Sequence, residues 1–284
     1  MKKNEEKTTP KHTSVIEKKI KNLAIFFCFF VFLGAFSIKN DSFCDFSEDF
    51  KNLNELTDTN RAFNSGEKLK YRISYGEKNK KGGVLFAAYA KLSVSSNTMH
   101  KRPAYQLTAH GKTTRIFSLF MKVKHSYKSI IDAKKLNTLE YEMEIQEGKF
   151  FDKESVMFES DTLLRKLKNN DILGAAYRLR TIPNDSLQKN DTVFFSYYYK
   201  NNVYESYVRI IERETIDTKF GKVKTIKCMP LLEKGRLFKD ENGAIIWITD
   251  DNMHLPIKIE LPVLVGSIYA TLHSYQNTSI DLKN

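Results

Sequence analysis

From about residue 64 onward, apolar and polar residues alternate with a period of two, the pattern of strands that bury one face and expose the other. In "EKLKYRISYG", Leu69, Tyr71, Ile73 and Tyr75 share one face. The run Asn79-Lys80-Lys81-Gly82-Gly83 supplies a turn, and "VLFAAYAKLSV" follows as the next strand. Further strands are predicted from Ala104, Lys122, Thr138, Lys153, Thr192, Val203 and Gly221, and three more close the chain. A sheet of about a dozen strands joined by short turns curls or closes on itself. The expected fold is mostly β: a single large antiparallel curled sheet, barrel-like or a roll.

One stretch breaks the alternation. "NNDILGAAYRLRTIP" offers Asp171 as an N-cap, places Ile172, Ala175, Ala176 and Leu179 on one helical face, and ends at Pro183. A single short helix is therefore expected to cover an open end of the sheet. No internal repeat or Pro-rich linker divides the chain, so residues 63–276 are expected to form one β domain. A polar lead-in (38–62) precedes it and a short tail (277–284) follows.

Residues 1–37 read as an address. Lys18, Lys19 and Lys21 stand before the apolar run Leu23–Ile38, and Ala35-Phe36-Ser37 presents small residues at both recognition positions of a cleavage site. The segment is expected to act as a signal peptide, or, if uncleaved, as a signal anchor. A span needs about 20 apolar residues, somewhat more than this run supplies. In either case the lysines stay cytoplasmic and the rest is exported to the periplasm or cell envelope, touching the inner membrane only through this segment. Phenylalanine directly before Cys28 and Cys44 argues against lipid modification.

The net charge of +12 changes little. The leader's seven lysines and three glutamates account for four of those charges, leaving +8. The remaining lysines alternate with apolar residues, as in "GKVKTIKC", which describes solvated strand faces and argues against nucleic-acid binding. Cys44 and Cys228 could pair in an oxidising compartment. The simpler reading is two unpaired thiols, Cys228 within a strand and Cys44 in the lead-in.

The stretches "FNSGEKLKYRISYG", "KVKHSYKSIID", "DILGAAYRLRTIP" and "GAIIWITDDNMHLPIKIELPVLVGSIYATL" resemble the bacterial DUF3108 family of exported proteins of unknown function. The resemblance runs from Phe63 to Leu272. It implies an envelope-located, β-rich domain with a barrel-like or rolled sheet, and it brings no catalytic residues.

Motifs of the common hydrolases, nucleotide enzymes and zinc sites are absent. His100, His110, His125, His254 and His273 are scattered, without metal-ligand spacing, so neither a metal nor a cofactor is expected. Asp250, Asp251 and His254 are the only grouping that resembles chemistry. Adjacent carboxylates on an extended chain point to opposite sides, and Asp and Asn favour turns, so "TDDNMH" is predicted to be the turn of a hairpin. Trp247 then becomes a core or cavity-wall anchor.

Tyr197, Tyr199 and Tyr204, on a hairpin expected to turn at Asn201-Asn202, could line a cavity, with Arg178 and Arg180 meeting an anionic group. Together with Trp247 these are the candidate ligand-binding residues. Three functions follow as expectations. The first is a non-catalytic envelope domain that binds a hydrophobic or glycan ligand, such as a lipid or glycan fragment. The second is an envelope assembly or structural factor with a protein partner, and the third is an enzyme at Asp250, Asp251 and His254.

Overall fold

A computed structural model describes residues 50–52, 62–76, 85–161, 164, 170–231, 243–263, 266–279 and 282. The leader, Cys44 and the 79–83 turn lie outside these residues. The first group of strands comprises β1 (Phe50–Asn52), β2 (Lys68–Gly76), β3 (Leu85–Met99), β4 (Arg102–Thr113), β5 (Val123–Asp132), β6 (Thr138–Glu147) and β7 (Phe150–Met157). The second comprises β8 (Asn170–Asp171), β9 (Thr192–Tyr199), β10 (Asn202–Thr218), β11 (Gly221–Pro230), β12 (Ile245–Thr249), β13 (Pro256–Pro262) and β14 (Ser267–Gln276). Among the described residues two helices interrupt them, α1 (Arg115–Ser118) and α2 (Ile172–Leu179).

All strands join one sheet in the order β1-β9-β10-β11-β12-β13-β14-β2-β3-β4-β5-β6-β7, with β8 beside β9. The pairings are antiparallel except those of β1 and β8 with β9. The two meanders meet where β14 pairs with β2, from Ser267 opposite Gly76 to Gln276 opposite Lys68. The alternation is realised directly. Leu69, Tyr71 and Ile73 are buried between exposed Lys68, Lys70 and Arg72.

The sheet curls into a roll whose ladder does not close. Its ends are joined instead by side chains. Glu154 of β7 accepts from the Tyr198 hydroxyl at 2.7 Å and from the backbone N–H groups of Asn201 and Lys200 at 3.0 and 3.2 Å. Lys200 Nζ lies 2.6 Å from Asp152. The β9–β10 hairpin turns at Lys200-Asn201, one residue earlier than the sequence suggested, with Tyr199 opposite Asn202 and φ of 47° and 60° at the turn. Positive φ at both central residues matches the twist of a tight hairpin.

Helix α2 packs against β9, β5, β4 and β8, inside the roll. Asp171 caps it, accepting from Leu173 and Gly174 N–H groups at 2.8 and 3.3 Å. The same carboxylate accepts from Ser129 Oγ at 2.7 Å and Thr138 Oγ1 at 2.6 Å, which ties the helix to β5 and β6. The apolar face is wider than the sequence pattern predicted: Leu173, Gly174 and Tyr177 are buried along with Ile172 and Ala175, whereas Ala176 and Leu179 are half-buried. A helix surrounded by sheet buries more than one stripe. The short helix α1, held by Thr114 as N-cap, had no signal in the alternation and leaves Ile116, Leu119 and Phe120 exposed. Among the described residues no helix is long and apolar enough to cross a membrane, which does not bear on crossing by strands.

Candidate functional site

The strands β9 to β13 present aliphatic side chains toward α2 and the segment that follows it. Val193, Ile210, Ile226 and Cys228 pack with Ile182 and Leu187 into a small apolar cluster beside the main core. Between this cluster and the helix lies a crevice of about 170 Å³. Its depth is formed by buried Leu173, Ile210 and Cys228, and its mouth by half-buried Ala176, Leu179, Phe195, Val208, Ile246 and Ile248. Apolar side chains left half-exposed around a concavity mark a binding surface more often than isolated exposed ones do.

The few polar groups at the crevice are already committed. Arg180 donates Nη1 and Nη2 to the two carboxylate oxygens of buried Glu67 at 2.8 and 2.9 Å. It also donates to the carbonyls of Ala62 at 2.8 Å and Met253 at 3.2 Å. Its guanidinium lies 5.1 Å from the centre of the Tyr177 ring. Against the cost of burial, the hydrogen bonds and charge of Glu67 hold the guanidinium above its ordinary pKa. The Tyr71 hydroxyl donates to the Pro256 carbonyl at 2.9 Å, and burial raises its pKa. Cys228 is a free buried thiol whose pKa burial pushes up to about 12.

His254 completes the polar rim. Its Nδ1 is 3.0 Å from the Arg180 carbonyl and its Nε2 is 3.1 Å from Asn184 Oδ1. Burial, outweighing the hydrogen bond to the Arg180 carbonyl, lowers the pKa of the ring. The acidic pair belongs to the same turn. Asp250 accepts from Arg213 Nε at 3.1 Å and Asn184 Nδ2 at 3.0 Å, and Asp251 from Thr249 Oγ1 and Met253 N–H, both at 2.8 Å. The stretch that resembled chemistry is a β12–β13 hairpin turn whose side chains bond its own backbone and the chain after α2.

The candidate ligand residues separate in space. Arg180 and Tyr197 line the crevice. Tyr204 stacks on Tyr197, with centroids 5.5 Å apart and planes at 24°, and forms part of the wall behind it. Tyr199 and Arg178 are buried away from the crevice lining. Trp247 points to the opposite face of the sheet, where its Nε1 donates to Glu214 at 2.7 Å and Lys258 Nζ lies 4.3 Å from the ring centre. The aliphatic lining went unremarked in the sequence because Val208, Ile210, Ile246 and Ile248 look like any strand core. The excess of apolar residues on both sides of "AIIWIT" was the one signal available. Among the described residues no three His, Cys, Asp or Glu side chains are grouped to hold a metal ion.

No curated protein matches the chain. Several solved structures do. A β-barrel-like protein of the domain of unknown function DUF1849 from Brucella abortus is 7% identical, with a TM-score of 0.40, covering 75% of this chain and 98% of its own. A Bacteroides fragilis protein with a YmcC-like fold is 11% identical, with a TM-score of 0.28 and coverage of 75% and 97%. The Mycobacterium tuberculosis lipoprotein LppX is 13% identical, with a TM-score of 0.26 and coverage of 76% and 89%. The family model that matches is that of the protein of unknown function DUF3108, over residues 70–273, from the Arg180-facing strand β2 to the β14 strand that joins the two meanders. The chain belongs to the DUF3108 family.

Proposed function

We propose that the protein is a non-catalytic domain of the periplasm or cell envelope that seats the apolar part of a lipid-like ligand in the crevice between α2 and strands β9 to β13. The observation that carries this reading is the lining itself, almost wholly aliphatic and half-exposed at its mouth. A cavity of about 150 Å³ lined by aliphatic and aromatic groups stays dry and accepts benzene, whereas drug-sized ligands take roughly 300–1,000 Å³. The crevice, at about 170 Å³, matches the end of an acyl chain or a small ring, with the remainder of the ligand outside. A glycan fragment fits it less well, because Arg180, Tyr71 and the 250–254 turn already spend their hydrogen bonds on protein groups. The lysine-flanked apolar run in residues 18–38, read as an export signal, supports this reading, because an exported domain works where lipids cross an aqueous space.

Native mass spectrometry of the protein purified from its host, with parallel lipid extraction, tests this. An adduct of lipid mass that disappears on extraction is expected. A clean apo mass, together with no binding of a fluorescent fatty acid, would sink the reading.

A second reading, an assembly factor acting through protein contacts, draws on α1. Ile116 and Leu119 there are 72% and 84% exposed, beside Phe120. Crosslinking from a photoreactive group at Leu119 in cells distinguishes it: one recurrent envelope protein favours this reading, and recovery of uncrosslinked monomer rejects it.

A further inference from the structure

The face of the sheet opposite the crevice carries an unusual register of charge. Lys70 stands directly opposite Lys91, which in turn stands opposite His110. One row over, Thr271, Arg72, Tyr89, Lys112 and Lys124 follow one another across β14, β2, β3, β4 and β5. Like charges directly opposite each other destabilise a sheet. Among the described residues none of Lys70, Arg72, Lys91, Lys112 or Lys124 has a carboxylate partner in an ion pair.

At one end of these rows the tip of the β10–β11 hairpin faces β2, β13 and β14 across a cleft of about 500 Å³. Arg72, Lys219, Lys258 and His273 line it from four separate elements, with the hydroxyl residues Ser74, Thr218 and Thr271 between them. Among the described residues the only carboxylate in the lining is Asp217, which pairs with Lys222 at 3.5 Å. Two of the cations lie against rings, and one of these, Lys258, is also 3.7 Å from the Glu260 carboxylate. The Arg72 guanidinium lies 4.4 Å from the centre of Phe86, and Lys258 Nζ lies 4.3 Å from that of Trp247. A guanidinium lying over a ring keeps N–H groups available at its edge, which suits bidentate recognition of a planar or tetrahedral oxyanion. Lys219 Nζ donates to the His273 carbonyl at 2.6 Å, which closes the hairpin tip over the cleft.

We propose that this cleft binds an oxyanion of the phosphate class, with Arg72 as the bidentate donor and Lys258 and Lys219 as flanking charges. The positive rows of β2 to β5 extend the attraction beyond the cleft and raise the local concentration of anions. Neighbouring residues of a strand point to opposite faces, so Tyr71 serves the apolar crevice and Arg72 the cleft. No single ligand occupies both, and the oxyanion site stands whether or not the crevice holds a lipid.

The chain's only tryptophan, Trp247, has the Lys258 ammonium 4.3 Å from its ring centre and so senses the cleft through that lysine. Its fluorescence is followed while the full chain is titrated with inorganic phosphate and, separately, with a monomeric short-chain phosphatidylglycerol. A saturable change is expected, weakened about ten-fold by Arg72→Gln, as the loss of a charge-assisted hydrogen bond requires. Lys149→Gln, on the β6–β7 turn, leaves it unchanged. Binding of both probes identifies a general phosphate site, and binding of the phospholipid alone identifies a headgroup site. If neither probe saturates, or if Arg72→Gln and Lys149→Gln behave alike, the proposal is overturned.

Discussion

Arg180, in the residue that ends α2, and Glu67, just before β2, are joined by two hydrogen bonds of 2.8 and 2.9 Å although 113 positions separate them in the chain. Both side chains are buried, and the guanidinium's remaining donors reach the Ala62 and Met253 carbonyls. The pair therefore fastens the helix to the N-terminal edge of the domain and to the β12–β13 turn at once.

Removing one partner leaves a buried charge uncompensated, which costs about 3–5 kcal/mol. Glu67→Ala is expected to lower unfolding stability by that amount in a urea titration. The double replacement Glu67→Leu with Arg180→Met is expected to recover most of it, since well-packed apolar groups often substitute for a buried pair without loss. A Glu67→Ala variant within about 0.5 kcal/mol of the parent would show that the pair is dispensable.

Gly174 reverses the ordinary helix rule. Alanine in place of a helical glycine normally stabilises by about 1 kcal/mol. Here an added Cβ would sit 2.6 Å from Thr138 Oγ1 and 3.0 Å from Asp171 Oδ2, inside the hydrogen bonds that anchor the helix cap. Gly174→Ala should lower the melting midpoint, and Asp171→Ala should lower it further by stripping partners from Ser129, Thr138 and two backbone N–H groups. The two effects share one network, so the double variant falls short of their sum.

Ala176 sits at the crevice mouth, half-buried on α2. Ala176→Phe places a ring across the opening while the deeper lining stays intact. Binding of a fluorescent fatty acid should weaken about ten-fold with stability held within about 1 kcal/mol. Undiminished binding would locate the apolar ligand elsewhere on the molecule.

Cys228 provides a pH test. Its folded pKa, about 12, lies above the ordinary thiol value of 9.0, so the folded protein keeps a proton that the unfolded chain releases. Its contribution to stability is complete below pH 9 and is lost as pH rises from there toward 12. In Cys228→Val that alkaline loss should be reduced. Peptide mapping after iodoacetamide treatment at pH 8 should find Cys228 unlabelled in the native protein and labelled in urea; native labelling would mean the crevice opens to its floor.

Strand alternation makes the roll legible in the sequence, because period two and turn chemistry are local. Leu69, Tyr71 and Ile73 face inward as the pattern requires, and "TDDNMH" forms the turn that its Asp and Asn residues suggest. What the chain could not reveal was pairing across long separations. Glu67 opens the first alternating stretch, "EKLKYRISYG", yet nothing near it indicated that Arg180 would claim its carboxylate. The same limit hid the crevice: Val208, Ile246 and Ile248 become a lining only when β10 and β12 curl toward α2. Trp247, expected as a core or cavity-wall anchor, is buried, but on the face of the sheet opposite the crevice, because the parity of one residue decides the side.

The seam between β7 and the β9–β10 turn is where the roll is closed by side chains instead of by a ladder. Everywhere else around the circumference, neighbouring strands can part only by breaking a row of peptide hydrogen bonds. Along this line, among the described residues, the two edges are held by side chains: Glu154 and a lysine–aspartate contact at the β9–β10 turn, and the Asn170 and Asp171 bonds to Thr138 and Ser129 at β8. Exchange of the Lys200 and Asn201 amides with solvent deuterium should accordingly outpace that of the β3–β4 ladder, and a guest too large for the resting interior has a place where the wall can give.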